Sequence, residues 1–190
     1  MLDRLFRRLA RGRIDGFERT FGYDATYMRE VLEVSPGAFR AFAGIMKLSQ
    51  HREGVPADVV YAAKVTTAAA EDCGPCAQLA VTMAEREGVP PQTLRDIVAG
   101  EVDRLPAGAA LGVRFARAVL ARSPELDDLR AEVVRTWGRA GLITLTFAIA
   151  ATRVYPLVKY ALGHGRACQR LRVAGVEVRP ASARAHAMIA

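Results

Sequence analysis

The chain has 190 residues, of which 51% are hydrophobic and 25% charged, enough for one well-buried core and short for two. Its formal charge of +7 sits at the ends: residues 1–20 hold six Arg against three acids, and residues 163–190 hold five Arg against one Glu. The stretch between is neutral, which argues against a nucleic-acid-binding body, and an odd three cysteines, two of them within a single turn, argue against a secreted disulfide framework and fit a reducing, cytoplasmic compartment better.

The N-terminus is basic but carries no uninterrupted apolar run of secretory type. Leu5, Phe6 and Leu9 form an apolar stripe between arginines, and short helices are expected over 3–10 and 15–21, docking on the protein's own core or on another subunit in preference to a membrane surface. Asp24 reads as the cap of a helix running to about Val34. Ser35-Pro36 is a cap followed by a first-turn proline, opening a helix to about His51.

Gly54-Val55-Pro56 breaks the chain before a helix that carries Asp58, Tyr61 and Lys64 to about Ala70. Pro75 suits the first turn of the next, which runs until Gly88-Val89-Pro90-Pro91 stops it. Further helices are expected over 92–99, from Pro106 to about Arg122, from Ser123-Pro124 to near Gly138, and over 141–162. The apolar stretch Gly141 to Thr152 is closed by Arg153, short of the roughly 20 residues of a membrane span, and reads as a core helix.

Gly163-His164-Gly165 ends the helical pattern, and residues 171–180 alternate well enough for a short extended segment. The prediction is an all-α domain of about eight to ten helices, in two successive halves, 24–100 and 106–162, that leave room for a distant duplication. It forms a single domain, 1–190, with a basic helical extension over 1–20, a core over 24–165 and a basic tail over 166–190.

The chemistry concentrates in Cys73-Gly74-Pro75-Cys76, whose spacing lets two thiols close a small disulfide without moving the rest of the chain. A helix beginning at Pro75 puts Cys73 at its cap and Cys76 in its first turn, where free N–H groups and the helix dipole favour a thiolate. Glu71 and Asp72 oppose this by like charge. Exposure near the cap favours Cys73 as the first nucleophile. Alternatively, the two cysteines only fill a tight helix contact. A zinc site lacks support, because Cys168, His51, His164 and His186 have none of the usual paired spacing, and no metal or cofactor is expected.

The helix 57–70 leading into Cys73-x-x-Cys76, the Ala-rich helix ending Arg86-Glu87-Gly88-Val89-Pro90, and the segments Ala110–Leu120 and Phe147–Val158 together resemble the AhpD-like, carboxymuconolactone decarboxylase superfamily over roughly residues 35–165. The resemblance implies that Cys76 attacks a peroxide, that Cys73 resolves it as a disulfide, and that a dithiol partner reduces the pair. It also implies a homo-oligomer. Active relatives carry a His four residues after the second cysteine and a Glu twelve before the first; here those positions are Ala80 and Tyr61, so both parts of the proton relay are missing. Asp58 and Lys64, one turn either side of Tyr61, could lend a carboxylate or a cation, although a first-turn dipole complement for Asp58 and a solvated or snorkelling side chain for Lys64 are the simpler expectations. Two functions follow: a thiol-dependent oxidoreductase, as a weak alkylhydroperoxidase or disulfide reductase, or a non-catalytic, ligand-binding oligomeric scaffold.

Overall fold

The computed structural model describes residues 2–166 and 170–181; Cys168, His186 and most of the basic tail lie outside them. Among the described residues there are eight α-helices: α1 (Leu2–Phe21), α2 (Thr26–Val34), α3 (Pro36–Gln50), α4 (Ala57–Ala70), α5 (Gly74–Arg86), α6 (Pro91–Ala99), α7 (Ala107–Ala121) and α8 (Leu126–Ala161). A 3-10 turn, Val102–Arg104, precedes α7, and a two-stranded antiparallel hairpin, β1 (Leu171–Val173) with β2 (Val176–Val178), follows α8. The fold is all-α, as the helical periodicity predicts.

The centre is α4. Val59 to Ala63, Val65, Thr67 and Ala68 are all buried, and a helix apolar on every side must be enclosed on every side. Its small residues allow close neighbours: α7 packs along it, and a Cβ added to Gly112 would lie 2.7 Å from the Val59 carbonyl oxygen. Val59, Val60 and Ala63 share a buried cluster with Leu111 and Phe115 of α7 and with Leu145 and Ile149 of α8. The other side of α4 joins α5, α6 and β1 in a second cluster that includes both Cys73 and Cys76.

Several local signals operate as the sequence predicts. The Ser35 side chain accepts from the Ala38 N–H at 3.2 Å, with Pro36 in the first turn of α3. The cap of α2 is Ala25 and not Asp24 as expected; Asp24, one place earlier, still accepts from both the backbone and the hydroxyl of Thr26, at 3.0 and 2.6 Å. Gly163, with φ +80°, lies just past the end of α8.

One further expectation is corrected. The short helices 3–10 and 15–21 are one 20-residue helix, because its buried face, Ala10 and Ile14, continues across the expected gap and joins Tyr27 and Leu32 of α2 in a third cluster. Partners of α1 hold it along its length: Arg7 donates to the Leu32 and Glu33 carbonyls, and Arg29 pairs with Asp15 at 2.6 Å and with Glu18. The helix end expected near Gly138 is present as a break: Gly138 leaves helical geometry (φ 69°, ψ −176°), and two helical stretches meet there at a kink to make the single span α8. The resulting helix is, by length and composition alone, apolar enough to cross a membrane, with 39% of its apolar window buried inside the fold. Its inner face, Leu145, Ala148, Ile149 and Thr152, lies in the core.

Candidate functional site

The turn that presents the cysteines is built by the end of α4. Asp72 adopts φ 50°, its N–H bonds the Ala69 carbonyl at 3.1 Å, and the Cys73 N–H reaches back to the Ala68 carbonyl at 3.4 Å, the paired closure of a Schellman motif. That reversal makes Cys73 the N-cap of α5, with Pro75 in the first turn. The N–H of Gly74 is taken by the Arg166 carbonyl at 3.0 Å, and Gln78 both donates to and accepts from the Arg172 backbone. The first turn of α5 is therefore tied to the segment that follows α8.

Cys73 and Cys76 are joined as a disulfide with Cα atoms 5.3 Å apart. Their environments differ. Cys73 is fully buried and shares a cluster with Leu171 and Val173 of β1, whereas Cys76 lines a cavity of about 470 Å³. Exposure thus runs opposite to the expectation from the helix cap, because β1 belongs to the cluster that encloses the cap position while the next turn of α5 opens toward α1, α2 and α3. The repulsion expected from Glu71 is offset locally, since its carboxylate accepts from Arg153 at 2.5 Å.

The cavity has an aromatic wall and a polar end. Phe17, Tyr23, Tyr27 and Tyr155 line it together with Leu79 and Met83. Edge-to-face contacts link Phe17 to Tyr23, Tyr23 to Tyr27, Tyr27 to Phe42 and Phe42 to Tyr155, with centroids 5.6 to 6.5 Å apart, a geometry aromatic rings favour. Behind the wall, Lys159 is buried against Tyr23 and Tyr27, at 4.6 and 5.1 Å from their centroids. Burial pushes the Tyr23 phenol up to about 12 and lowers the Lys159 ammonium.

Ala80 and Tyr61, the two positions that the resemblance would assign to a proton relay, both line the cavity, Ala80 one turn along α5 from Cys76. Lys64 lines it too, and here the expectation of a solvated side chain fails: only 9% of the residue is exposed. Its ammonium donates to the Ser49 carbonyl at 2.6 Å and lies 5.2 Å from the Tyr61 ring centroid. Burial, aided by the Arg52 guanidinium and opposed by Glu87, lowers its pKa to about 8. Burial likewise raises the Tyr61 phenol. Asp58 does not line the cavity; it accepts from the Val59 N–H at 3.0 Å at the start of α4, which is the first-turn role expected of it.

His51 lines the cavity and packs against Phe147, while His164 pairs with Glu30 at 2.7 Å. Among the described residues, no three His, Cys, Asp or Glu side chains are grouped to hold a metal ion. The sequence reading missed the aromatic wall. Its signal was the crowding of Phe17, Phe21, Tyr23 and Tyr27 into eleven residues at near-helical spacing. Comparison of the chain with family models, with curated proteins and with solved structures finds no match.

Proposed function

We propose that the chain is a thiol-dependent oxidoreductase of AhpD-like type, acting in a reducing compartment, in which Cys76 meets the oxidant and Cys73 closes the disulfide. The observation that carries this reading is the asymmetry of the pair: Cys76 lines a cavity of about 470 Å³ and Cys73 is fully buried one turn away. In the forward half-reaction the Cys76 thiolate, an organic hydroperoxide and one proton give a sulfenic acid and an alcohol, with the O–O bond broken. The Cys73 thiol then attacks the Cys76 sulfur, forming the disulfide and releasing water. A dithiol partner returns two electrons and two protons by exchange.

Ala80 and Tyr61 leave no general base one turn from the nucleophile, and such a base is worth about 10²–10⁴ in rate. Slow turnover is part of the proposal. Assembly with copies of itself is another part, supported by the exposed face of α8 that carries Ile143, Leu157 and Tyr160. The same two substitutions also favour a second reading, in which the cavity binds a ligand without chemistry.

The test is a thiol count on reduced protein exposed to tert-butyl hydroperoxide, with mass mapping of the product. The proposal expects two thiols lost reversibly, a Cys73–Cys76 disulfide, and no turnover in Cys76→Ser. Both thiols remaining free, or unchanged dithiol-dependent turnover in Cys76→Ser, would leave only the ligand-binding reading.

A further inference from the structure

Three basic side chains among the cavity-lining residues differ in what they already hold. Arg52 pairs with Glu87 at 3.1 Å. Arg86 donates to the Thr20 carbonyl at 2.5 Å and lies over the Phe21 ring, 5.0 Å from its centroid. Lys64 has no carboxylate within ion-pair distance among the described residues, although it is more than nine-tenths buried. An ammonium carries three N–H donors, and the one hydrogen bond described for it goes to a neutral carbonyl, that of Ser49.

A buried charge without a counter-charge is expensive and is retained most readily where something anionic completes it. The charged groups acting on Lys64 are Arg52 and Glu87. Among the described residues Glu87 is the only acid lining the cavity, and its bond to Arg52 leaves the local balance positive. The Tyr61 ring face supplies partial compensation only.

The rest of the cavity sets the shape of what could pair with this cation. Phe17, Tyr23, Tyr27, Leu79, Met83 and Tyr155 present an apolar wall, which a compact, strongly hydrated anion would leave uncovered. The volume falls within the roughly 300–1,000 Å³ of small-molecule sites. We propose that the cavity beside Cys76 binds an apolar molecule bearing a carboxylate, its anionic head at Lys64 and its hydrocarbon along the aromatic wall. This deepens the oxidoreductase reading, on which it rests for chemistry: the substrate class becomes hydroperoxides of apolar carboxylic acids.

Decanoate and decanol are the probes, measured by calorimetry on the reduced full chain at pH 7, with protection of Cys76 from N-ethylmaleimide to locate binding. Decanoate is expected to bind at least tenfold more tightly than decanol and to slow alkylation of Cys76. In Lys64→Met that preference disappears while decanol binding is kept, and Lys64→Gln, which retains a hydrogen-bond donor without the charge, behaves as Lys64→Met does. Equal affinity for the two probes in the native chain, or decanoate affinity unchanged in either variant, overturns the proposal. Its failure is separable from that of the oxidoreductase reading: turnover of tert-butyl hydroperoxide without any preference for decanoate sinks only the substrate class. Preferential decanoate binding by a protein whose thiols ignore peroxide sinks only the redox chemistry.

Discussion

Replacing Lys64 by methionine should stabilise the protein near neutral pH, and the size of the effect follows from its surroundings. The fall in its pKa from 10.5 to about 8 corresponds, at 1.36 kcal/mol per pH unit, to about 3 kcal/mol of cost for holding the charged form in the fold. Methionine keeps the length of the side chain, fills the same apolar space and removes that cost. Against it stands the hydrogen bond to Ser49, worth about 1 kcal/mol. The net expectation is a gain of about 2 kcal/mol at pH 7, or a Tm rise of about 4–8 °C for a chain of this size.

The sign of the pH dependence is fixed by which state binds the proton more tightly. Between about pH 8 and 10.5 the unfolded chain keeps a proton on Lys64 that the native chain has released, so native stability rises with pH across that window. The methionine variant lacks this rise, and its advantage shrinks through the window and is gone above it. Urea unfolding of both proteins at pH 7 and pH 10.5 measures the difference directly. A variant less stable at pH 7, by an amount that does not change with pH, would refute the argument that Lys64 is held as a buried, uncompensated cation.

Cys73→Ser should trap the Cys76 sulfenic acid, visible by mass as a dimedone adduct after peroxide, while Cys76→Ser should give no adduct. Ala80→His places a base one turn from Cys76 on the cavity wall and should raise the second-order rate with tert-butyl hydroperoxide by at least tenfold; no gain would favour ligand binding without catalysis. Gly112→Ala drives a methyl group against the Val59 carbonyl oxygen and should cost about 1–3 kcal/mol in urea unfolding. Leu157→Glu, on the exposed face of α8, should leave the helical circular dichroism unchanged and lower the mass measured by light scattering.

Much of the fold was legible because its signals are local. The cap at Ser35, the prolines that open α3 and α5, and Gly163 beyond α8 each act within one turn; the extended segment expected over 171–180 showed in simple alternation, but its fold into two short strands, β1 and β2, did not. The misreadings came where packing overrules local preference. Residues 11–14 are expected from the sequence to separate two short helices, yet the buried stripe through Ala10 and Ile14 carries α1 across them. Likewise a lysine is solvated by default, and only the enclosure of α4 by α5, α6, α7 and α8, with the Ser49 carbonyl of α3 on its ammonium, takes Lys64 out of water. The cysteine pair was visible as a motif, but which cysteine lines the cavity depends on where β1 lies, about 95 positions further along the chain.

The burial of Cys73 has a kinetic consequence. On the proposed chemistry a single sulfur, that of Cys76, is reachable from the cavity, and the oxidant and the dithiol reductant must enter by the same door at different stages of the cycle. Each would obstruct the other. Double-reciprocal plots should be parallel at low concentrations, and an excess of either reagent should inhibit by occupying the form of the protein meant for its counterpart.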